Sequence, residues 1–206
     1  DVIAHVVRCF ENPDVTHVSG SIDPKQDIET VDTELILADL ETIEKRLAKT
    51  EKLLKTGDKK IPEVLETCKA VKKGLSTGKP ARMLELEKRE IEIIKELNLL
   101  TLKPVFYVAN VDEAGLRGNR HTDFIREIAA KDGTEPVVIC GDIESEIAEL
   151  DQDERDLFLS DLGLEQSGLE RLKKDGYDLL KLITFYTAVG SELRAWAIPE
   201  GTKAPK

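Results

Sequence analysis

An amide and a carboxylate follow a strongly apolar run of the sequence. Residues 105–109 read VFYVA without a polar interruption, Asn110 comes next, and Glu113 lies three positions further on. Such a run is typical of a strand in a buried parallel sheet, and ligands of these sheets bind beyond the carboxyl ends of the strands. Asn110 and Glu113 therefore either recognise a polar ligand or only cap a turn or the next helix. The pattern alone leaves both interpretations open.

Two further apolar runs end in residues that could line the same site. The run in residues 1–10 ends on Phe10, and the run VVI (137–139) is followed by Cys140 and Gly141. The carboxyl ends of neighbouring parallel strands meet at one edge of a sheet. An aromatic ring, an amide and a tight glycine turn at that edge could together enclose a planar heterocycle.

Apolar runs of strand length alternate with amphipathic segments in both terminal parts of the chain. The predicted strands are 1–10, 103–110 and 135–141, and the predicted helices of these parts are 121–133 and an acidic helix over 142–164. This alternation predicts an α/β fold with a mostly parallel sheet. Beyond Gly176, two more apolar runs predict short strands of a separate, β-containing unit.

Three amphipathic segments without intervening strands separate the first two predicted strands. Apolar residues recur at three- and four-residue steps, which predicts helices over 27–54, 61–75 and 81–100. The third helix is expected to turn Met83 and Ile91 inward. The breaks KTGDKKIP and STGKP place turns between these helices, so the segment is predicted to be an antiparallel helical, coiled-coil arm inserted into the α/β domain.

Positive charge is concentrated in this arm. The chain has a net charge of −11, yet residues 44–96 contain 15 of its 30 Lys and Arg against 10 of its 41 Asp and Glu. A cationic surface of this kind is usually only a solvated face, but it can also dock on phosphate backbones. Few aromatic residues lie among the lysines, which favours contact with a nucleic-acid backbone over base stacking. The candidate polyanion-binding residues are Lys52, Lys55, Lys59, Lys60, Lys69, Lys72, Lys73, Lys79 and Arg82.

Composition excludes several classes of protein. No apolar run approaches the roughly 18 residues of a membrane span, and no basic-then-apolar leader opens the chain, so a cytoplasmic protein without a membrane partner is expected. The overall acidity argues against binding DNA over a broad surface. Three scattered cysteines and three scattered histidines show no metal-ligand spacing, and no metal site is predicted in this chain.

The motif VANVDE, at the end of the strand 103–110, resembles the base-recognition motif Asn-Lys-x-Asp of P-loop GTPases, altered to Asn-x-x-Glu. That alteration is characteristic of the YchF-type Obg-like ATPases. Further stretches resemble the same family in order along the chain, and the closing ELRAWAIPEGTKAP resembles the entry to its TGS domain, a small β-grasp module. The other stretches are THVSGSIDPKQDIETVDTELILADLE, TLKPVFYVANVDE, IESEIAELD and LGLEQSGLERLKKDGYDLLKLITFYTA.

The resemblance implies recognition of ATP instead of GTP. In the ordinary motif the aspartate accepts hydrogen bonds from guanine N1–H and the 2-amino group, and adenine offers neither donor, so an acid aimed there would lose its partners. The resemblance implies that Asn110 contacts the base edge, Val111 packs against the ring with Phe10 on its other side, and Glu113 braces the loop. Backbone N–H groups at Gly141 are expected to reach the purine. The base-site residues implied are Asn110, Val111, Glu113, Phe10, Cys140 and Gly141.

The phosphate-binding machinery of the family is not found in this sequence. The nearest match to GxxxxGK[ST] is GLSTGKP (74–80), which has three spacer residues and a proline where a hydroxyl must bind magnesium. No catalytic residue is therefore assigned. The resemblance implies that the P-loop and the Mg²⁺ ligands lie upstream of Asp1, that this chain begins within a domain and ends within the TGS module, and that it is inactive alone.

The expected organisation is a nucleotide-binding α/β domain over 1–27 and 101–180, an inserted arm over 28–100 and the start of a TGS domain over 181–206. The expected function of the complete protein is a redox- or translation-associated ATPase that associates with the ribosome or its RNA through the arm. One alternative is a non-enzymatic module that binds RNA or protein and has a degenerate nucleotide fold. Another is the arm of a tRNA-handling enzyme, in which TGS units also occur.

Overall fold

The computed structural model describes residues 1–12, 22–54 and 58–203. These form two compact units, one of Asp1–Pro24 with Val105–Lys206 and the other of Lys25–Pro104. In chain order the elements are β1 (Ile3–Arg8), α1 (Pro24–Leu53), α2 (Ile61–Ser76), α3 (Lys88–Ile94), β2 (Val105–Asn110), α4 (Arg120–Lys131), β3 (Val137–Ile139), α5 (Gly141–Glu149), α6 (Gln152–Leu162), α7 (Gly168–Leu179), β4 (Leu182–Val189) and β5 (Glu192–Pro199).

The first unit contains a parallel sheet of three strands in the order β1-β2-β3. The central strand, β2, is buried at five of its six positions, as its unbroken apolar sequence predicts. Phe106 and Val108 of this strand form a core cluster with Val137, against which Leu172 and Leu179 of α7 pack. The prediction of a parallel sheet within an α/β fold is confirmed.

The predicted acidic helix over 142–164 is wrong, because the structure divides it into α5 and α6. Leu150 leaves the helical conformation, and the Asp151 side chain then accepts a hydrogen bond from the backbone N–H of Glu154. This capping box begins a new helix, so α6 starts independently of α5. Glu144 of α5 in turn accepts hydrogen bonds from the backbone N–H groups of Gly168 and Leu169 and fixes the start of α7.

The second unit is built on two long helices. The 30 residues of α1 make a rod about 45 Å long. Ile43 of α1 is fully buried in a core cluster with Cys68, Val71 and Leu75 of α2 and with Ile94 of α3. This cluster is the apolar stripe that the three- and four-residue spacing predicts for α1 and α2.

The third predicted helix of the arm is wrong over most of its length. Only the seven residues Lys88–Ile94 are α-helical, and short 3₁₀ turns lie at Ala81–Met83, Lys95–Leu97 and Leu100–Leu102. Met83 and Ile91, expected to point inward, are 50% and 38% exposed. Extended backbone at Pro80 and Leu84 and a left-handed Asn98 interrupt the helix, so its apolar residues reach the core from irregular segments.

The end of the chain forms an antiparallel hairpin of β4 and β5, with Phe185 opposite Trp196. Gly190, in the turn, has a φ of +62°, a conformation that favours glycine. The hairpin fits the start of a TGS-like domain. Across the described ranges, no helix combines the length and the apolar character that crossing a membrane requires.

Candidate functional site

The three strand ends are joined by a short hydrogen-bond network. The N–H of Cys9, just after β1, donates to the carbonyl of Asn110 at 2.7 Å, and the N–H of Val111 donates to the carbonyl of Ile139 at 2.8 Å. The N–H of Gly141 donates to the side-chain Oδ1 of Asn110 at 3.1 Å. At this edge Asn110 thus bonds to residues that follow both neighbouring strands, Cys9 through its carbonyl and Gly141 through its side chain.

The Asn110 amide has the chemistry of a base-edge contact. Its side chain is partly buried, Oδ1 holds the Gly141 N–H, and Nδ2 has no hydrogen-bond partner within the part of the chain that the structure describes. An amide presents two N–H donors and two lone pairs on its oxygen. Two donors and one lone pair are thus left for a ligand at the sheet edge. A purine N7 is an acceptor of the kind that such an amide can bind.

Gly141 and Cys140 contribute through their backbone. A Cβ added at Gly141 would lie 3.5 Å from Asn110 Oδ1, an ordinary contact, so the site uses the N–H of this residue and not its lack of a side chain. Cys140 is 2% exposed and directly precedes α5, where its carbonyl accepts from the N–H of Glu144. The Cys140 side chain is therefore interior, and only its neighbouring backbone faces the candidate site.

The loop after Asn110 is braced by a residue that the sequence analysis did not select. Asp112 accepts a hydrogen bond from the N–H of Gly115 at 2.9 Å and caps a 3₁₀ turn over Glu113–Arg117. Glu113 is exposed, and its side chain makes no hydrogen bond within the described ranges. The expectation that Glu113 braces the loop is corrected, because the shorter side chain of Asp112 reaches the turn.

Val111 does not present the apolar surface expected of it. Its side chain is 2% exposed, and a Cβ at Gly115 would lie only 2.8 Å from the Val111 Cβ. The valine therefore fills the space beneath the 113–117 turn. In this structure its contribution is to support the loop, and a ligand ring has little of its surface to contact.

A groove with a volume of about 790 Å³ lies along the same loop. One wall is formed by residues of the 112–117 loop, including Glu113 and Arg117, and the other by residues 161–164 at the end of α6. Its volume lies within the range of small-molecule sites. Glu113 therefore lines an open space, and among the described residues it is the one predicted base-site residue in the lining of this groove.

Asn119 is a further residue of this region that sequence reasoning missed. Its Oδ1 accepts from the N–H groups of His121 and Thr122, which caps α4, while its Nδ2 donates to the carbonyl of Cys9 at 2.8 Å. The spacing Asn-x-x-Thr could have indicated the cap. The bond to Cys9 spans 110 positions and leaves no local signal.

The pKa of His121, which lies beside this cap, is shifted by burial and by neighbouring charges. Burial lowers the pKa of His121, and the neighbouring Arg120 lowers it further, while Glu11 and Asp23 act in the opposite direction. The Nε of Arg120 donates to Nε2 of His121 at 3.3 Å. His121 is thus a neutral acceptor at neutral pH, with a structural role at the start of α4.

The segment 74–80 forms the end of a helix and not a loop that follows a strand. It lies at the carboxyl end of α2, where the N–H groups of Thr77 and Lys79 both donate to the carbonyl of Gly74, and that of Gly78 donates to Leu75. These backbone donors cap the helix, so they are not arranged to cradle a phosphate as the N–H groups of a P-loop are. Within the described ranges, no group of three or more His, Cys, Asp or Glu could hold a metal ion.

The basic residues of the arm lie mostly on its surface. Lys69 pairs with Glu66 at 3.2 Å and Lys72 with Glu44 at 2.8 Å, while Arg82 is partly buried. Lys55 lies outside the described residues. Of the candidate polyanion-binding lysines, those that are exposed and have no ion pair among the described residues are Lys52, Lys59, Lys60, Lys73 and Lys79.

Comparison with known proteins agrees with this architecture. The chain is 48% identical to the "Ribosome-binding ATPase YchF" of Pasteurella multocida and 47% identical to that of Bacillus subtilis, in each case over the whole chain and 57% of the relative. The structure matches the YchF GTPase of Schizosaccharomyces pombe with a TM-score of 0.84 and 30% identity, over 99% of this chain and 56% of that one. The chain is a YchF homologue.

Both the curated YchF proteins and the solved YchF structure extend well beyond the aligned region, since this chain spans little more than half of their length. No family model matches the chain. The names of these proteins differ in one respect that bears on the site: the curated YchF relatives are named ATPases, whereas the solved YchF protein is named a GTPase. The preference of this chain for adenine or guanine must therefore be inferred from its own residues.

Proposed function

We propose that this chain supplies the base-recognition part of a YchF-type protein that binds and hydrolyses ATP. The observation that carries the proposal is the Asn110 side-chain amide, which links the ends of β2 and β3 through the Gly141 N–H and whose own N–H donors have no partner among the described residues. Phe10, two positions after the end of β1, supplies a ring at the same edge. The phosphate-binding groups, the Mg²⁺ ligands and the catalytic residues belong to parts of the protein that this chain does not contain.

Preference for adenine follows from the position of the acid. A carboxylate that reads guanine must be held against N1–H and the 2-amino group, where adenine provides no donor to satisfy it. Glu113 is exposed along the groove beside the loop and is not fixed by any hydrogen bond within the described ranges. Its longer, unfixed side chain can remain solvated when adenine is bound, so adenine carries no penalty from an unpaired acid.

Calorimetry with ATP and GTP tests the proposal. The protein used is the full-length protein that contains this chain. Asn110→Ala is expected to weaken ATP binding about 5- to 30-fold, since it removes one or two hydrogen bonds to the base edge. Gln152→Ala is the matched control, because it removes an exposed amide on α6 that bonds only to Asp156 within the described ranges. Equal affinities for ATP in both variants would contradict the role of Asn110.

The effect of the Glu113 carboxylate on base preference is tested in the same assay. Glu113→Asp shortens the side chain to the length found in the guanine-specific motif, so the ratio of GTP to ATP affinity is expected to rise. A ratio that stays unchanged would mean that the acid does not face the base. If neither nucleotide binds the unmodified protein, the alternative of a non-enzymatic module with a degenerate nucleotide fold is favoured.

We further propose that the partner is the ribosome, that contact is made by the basic arm, and that the protein works in the cytoplasm. The support is that the YchF relatives are named ribosome-binding ATPases and that exposed lysines lie on α1, on α2 and in the segments before and after α2. A translation role is favoured over a redox role, because all three cysteines are buried and burial raises the pKa of the Cys68 thiol. A buried thiol with a raised pKa is poorly reactive.

A further inference from the structure

Arg8, the last residue of β1, lies next to Asn110 across the sheet. The parallel register pairs Arg8 with Asn110, and Asn110 with Ile139. Residues in register on neighbouring parallel strands extend from the same face of a sheet, about 4.8 Å apart. The sequence pattern indicates no role for Arg8, yet the register places this residue in the row of side chains that contains the candidate base contact.

The guanidinium of Arg8 is held by the residues that follow it. Its Nε donates to the carbonyl of Phe10 at 3.1 Å, and its Nη2 donates to the carbonyl of Asn12 at 3.1 Å. The guanidinium carbon lies over the Phe10 ring, 4.9 Å from the ring centroid. One planar group thus fixes the backbone after β1 and covers one face of the aromatic ring, a combination for which arginine is suited and lysine is not.

We propose that Arg8 is a positioning residue for the base site, which holds Phe10 so that the uncovered face of its ring receives the purine. This inference rests on the proposed function, because it concerns the ring expected to stack on the base. The arrangement is a three-layer stack of guanidinium, phenyl ring and purine. Arg8 acts through Phe10 and the 10–12 backbone and does not itself contact the nucleotide.

The test is a double-mutant cycle between Arg8 and Phe10, with ATP affinity measured by calorimetry in the full-length protein. Phe10→Ala is expected to weaken ATP binding about tenfold, because stacking on an aromatic ring is lost. Arg8→Ala and Arg8→Lys are expected to weaken it about three- to tenfold, since the ring loses its fixed orientation. Arg8→Ala added to Phe10→Ala should have almost no further effect, because residues that act through one another are not additive.

Steady-state hydrolysis supplies a second readout. The Arg8 variants should raise KM and leave kcat nearly unchanged, since saturating ATP fills a site whose chemistry lies elsewhere. Arg126→Ala is the matched control: it removes an exposed arginine of α4 that pairs with Asp123 and should change neither constant. Arg8→Lys keeps the charge, so it remains informative if Arg8→Ala fails to fold.

The outcomes separate this inference from the proposed function. If Phe10→Ala weakens ATP binding while both Arg8 variants bind normally, or if the two effects are additive, the positioning role of Arg8 is wrong and the base site stands. If neither Phe10→Ala nor Asn110→Ala affects ATP binding, the proposed base site itself is wrong. A fall in kcat at unchanged KM would also overturn the positioning role.

Discussion

At the scale of single residues, Gly115, in the loop that follows Asn110, has no room for a side chain. A Cβ there would lie 2.8 Å from Val111 Cβ, 2.9 Å from Asp112 Oδ1 and 3.0 Å from Asn119 Nδ2. Those three neighbours fill the space under the loop, brace the loop and anchor α4 to the end of β1. One added methyl group would therefore disturb every support of the Asn110 corner at once.

Gly115→Ala is expected to destabilise the protein by about 1–3 kcal/mol, because well-packed neighbours must shift to admit the methyl group. Thermal denaturation followed by circular dichroism measures the change. Gly176→Ala is the matched control: Gly176 lies within α7 with open space where its Cβ would stand, so alanine there should leave stability unchanged or raise it by about 0.5–1 kcal/mol. Equal effects of the two substitutions would contradict the packing argument.

At the scale of elements, a buried carboxylate joins α1 to the segment that leads back to β2. Asp39 is 2% exposed and accepts hydrogen bonds from Leu100 N–H at 2.8 Å, Thr101 N–H at 2.7 Å and Thr101 Oγ1 at 2.6 Å. The Thr101 hydroxyl oxygen also accepts from the N–H of Ala81. The network holds the two ends of the segment 81–100, at Ala81 and Leu100, while extended backbone at Leu84 and a left-handed Asn98 interrupt the helix that its apolar pattern predicts.

Asp39→Ala is expected to cost about 3 kcal/mol or more in stability of the arm, because three buried donors lose a charged acceptor. Asp39→Asn should cost less, since one acceptor oxygen remains. Hydrogen exchange at the Leu100 and Thr101 amides localises the effect to this network. Glu34→Gln, at an exposed position of the same helix, should leave both stability and exchange unchanged. Protected amides in Asp39→Ala would show that the network is dispensable.

The sequence predicts those helices and strands that are marked by an unbroken apolar run or by apolar residues at one regular spacing. The apolar run of β2 and the spacing of Ile43, Val71 and Leu75 were sufficient for the sheet and for α1 and α2. The position of Asn110 at the end of β2 was predictable from the unbroken apolar run that precedes it. The bonds from Asn119 to Cys9 and from Thr101 to Asp39 were not, since they join residues 110 and 62 positions apart. Long-range polar contacts of this kind leave no periodic trace.

At the scale of the whole molecule, binding of a polyanion depends more on where the charges lie than on the net charge. The net charge of −11 should repel a polyanion, so binding to RNA requires a local excess of positive charge. Lys59, Lys60, Lys73 and Lys79 provide one on the arm, at exposed positions with no ion pair among the described residues. Lys69 and Lys72 contribute less, because Glu66 and Glu44 already neutralise them.

Reversal of the charge on Lys59, Lys60, Lys73 and Lys79 to Glu is therefore expected to abolish co-sedimentation with ribosomes at low salt. It should also reduce the dependence of log affinity on log salt concentration by about 3–4, because each lysine on a phosphate contributes roughly one counterion. The matched control reverses four exposed lysines of the other unit, Lys131, Lys173, Lys174 and Lys203. Both variants carry the same net charge, so only a difference between them identifies the arm as the contact. Equal losses would assign the effect to overall repulsion, and unchanged binding by the arm variant would exclude the arm as the ribosome-binding surface.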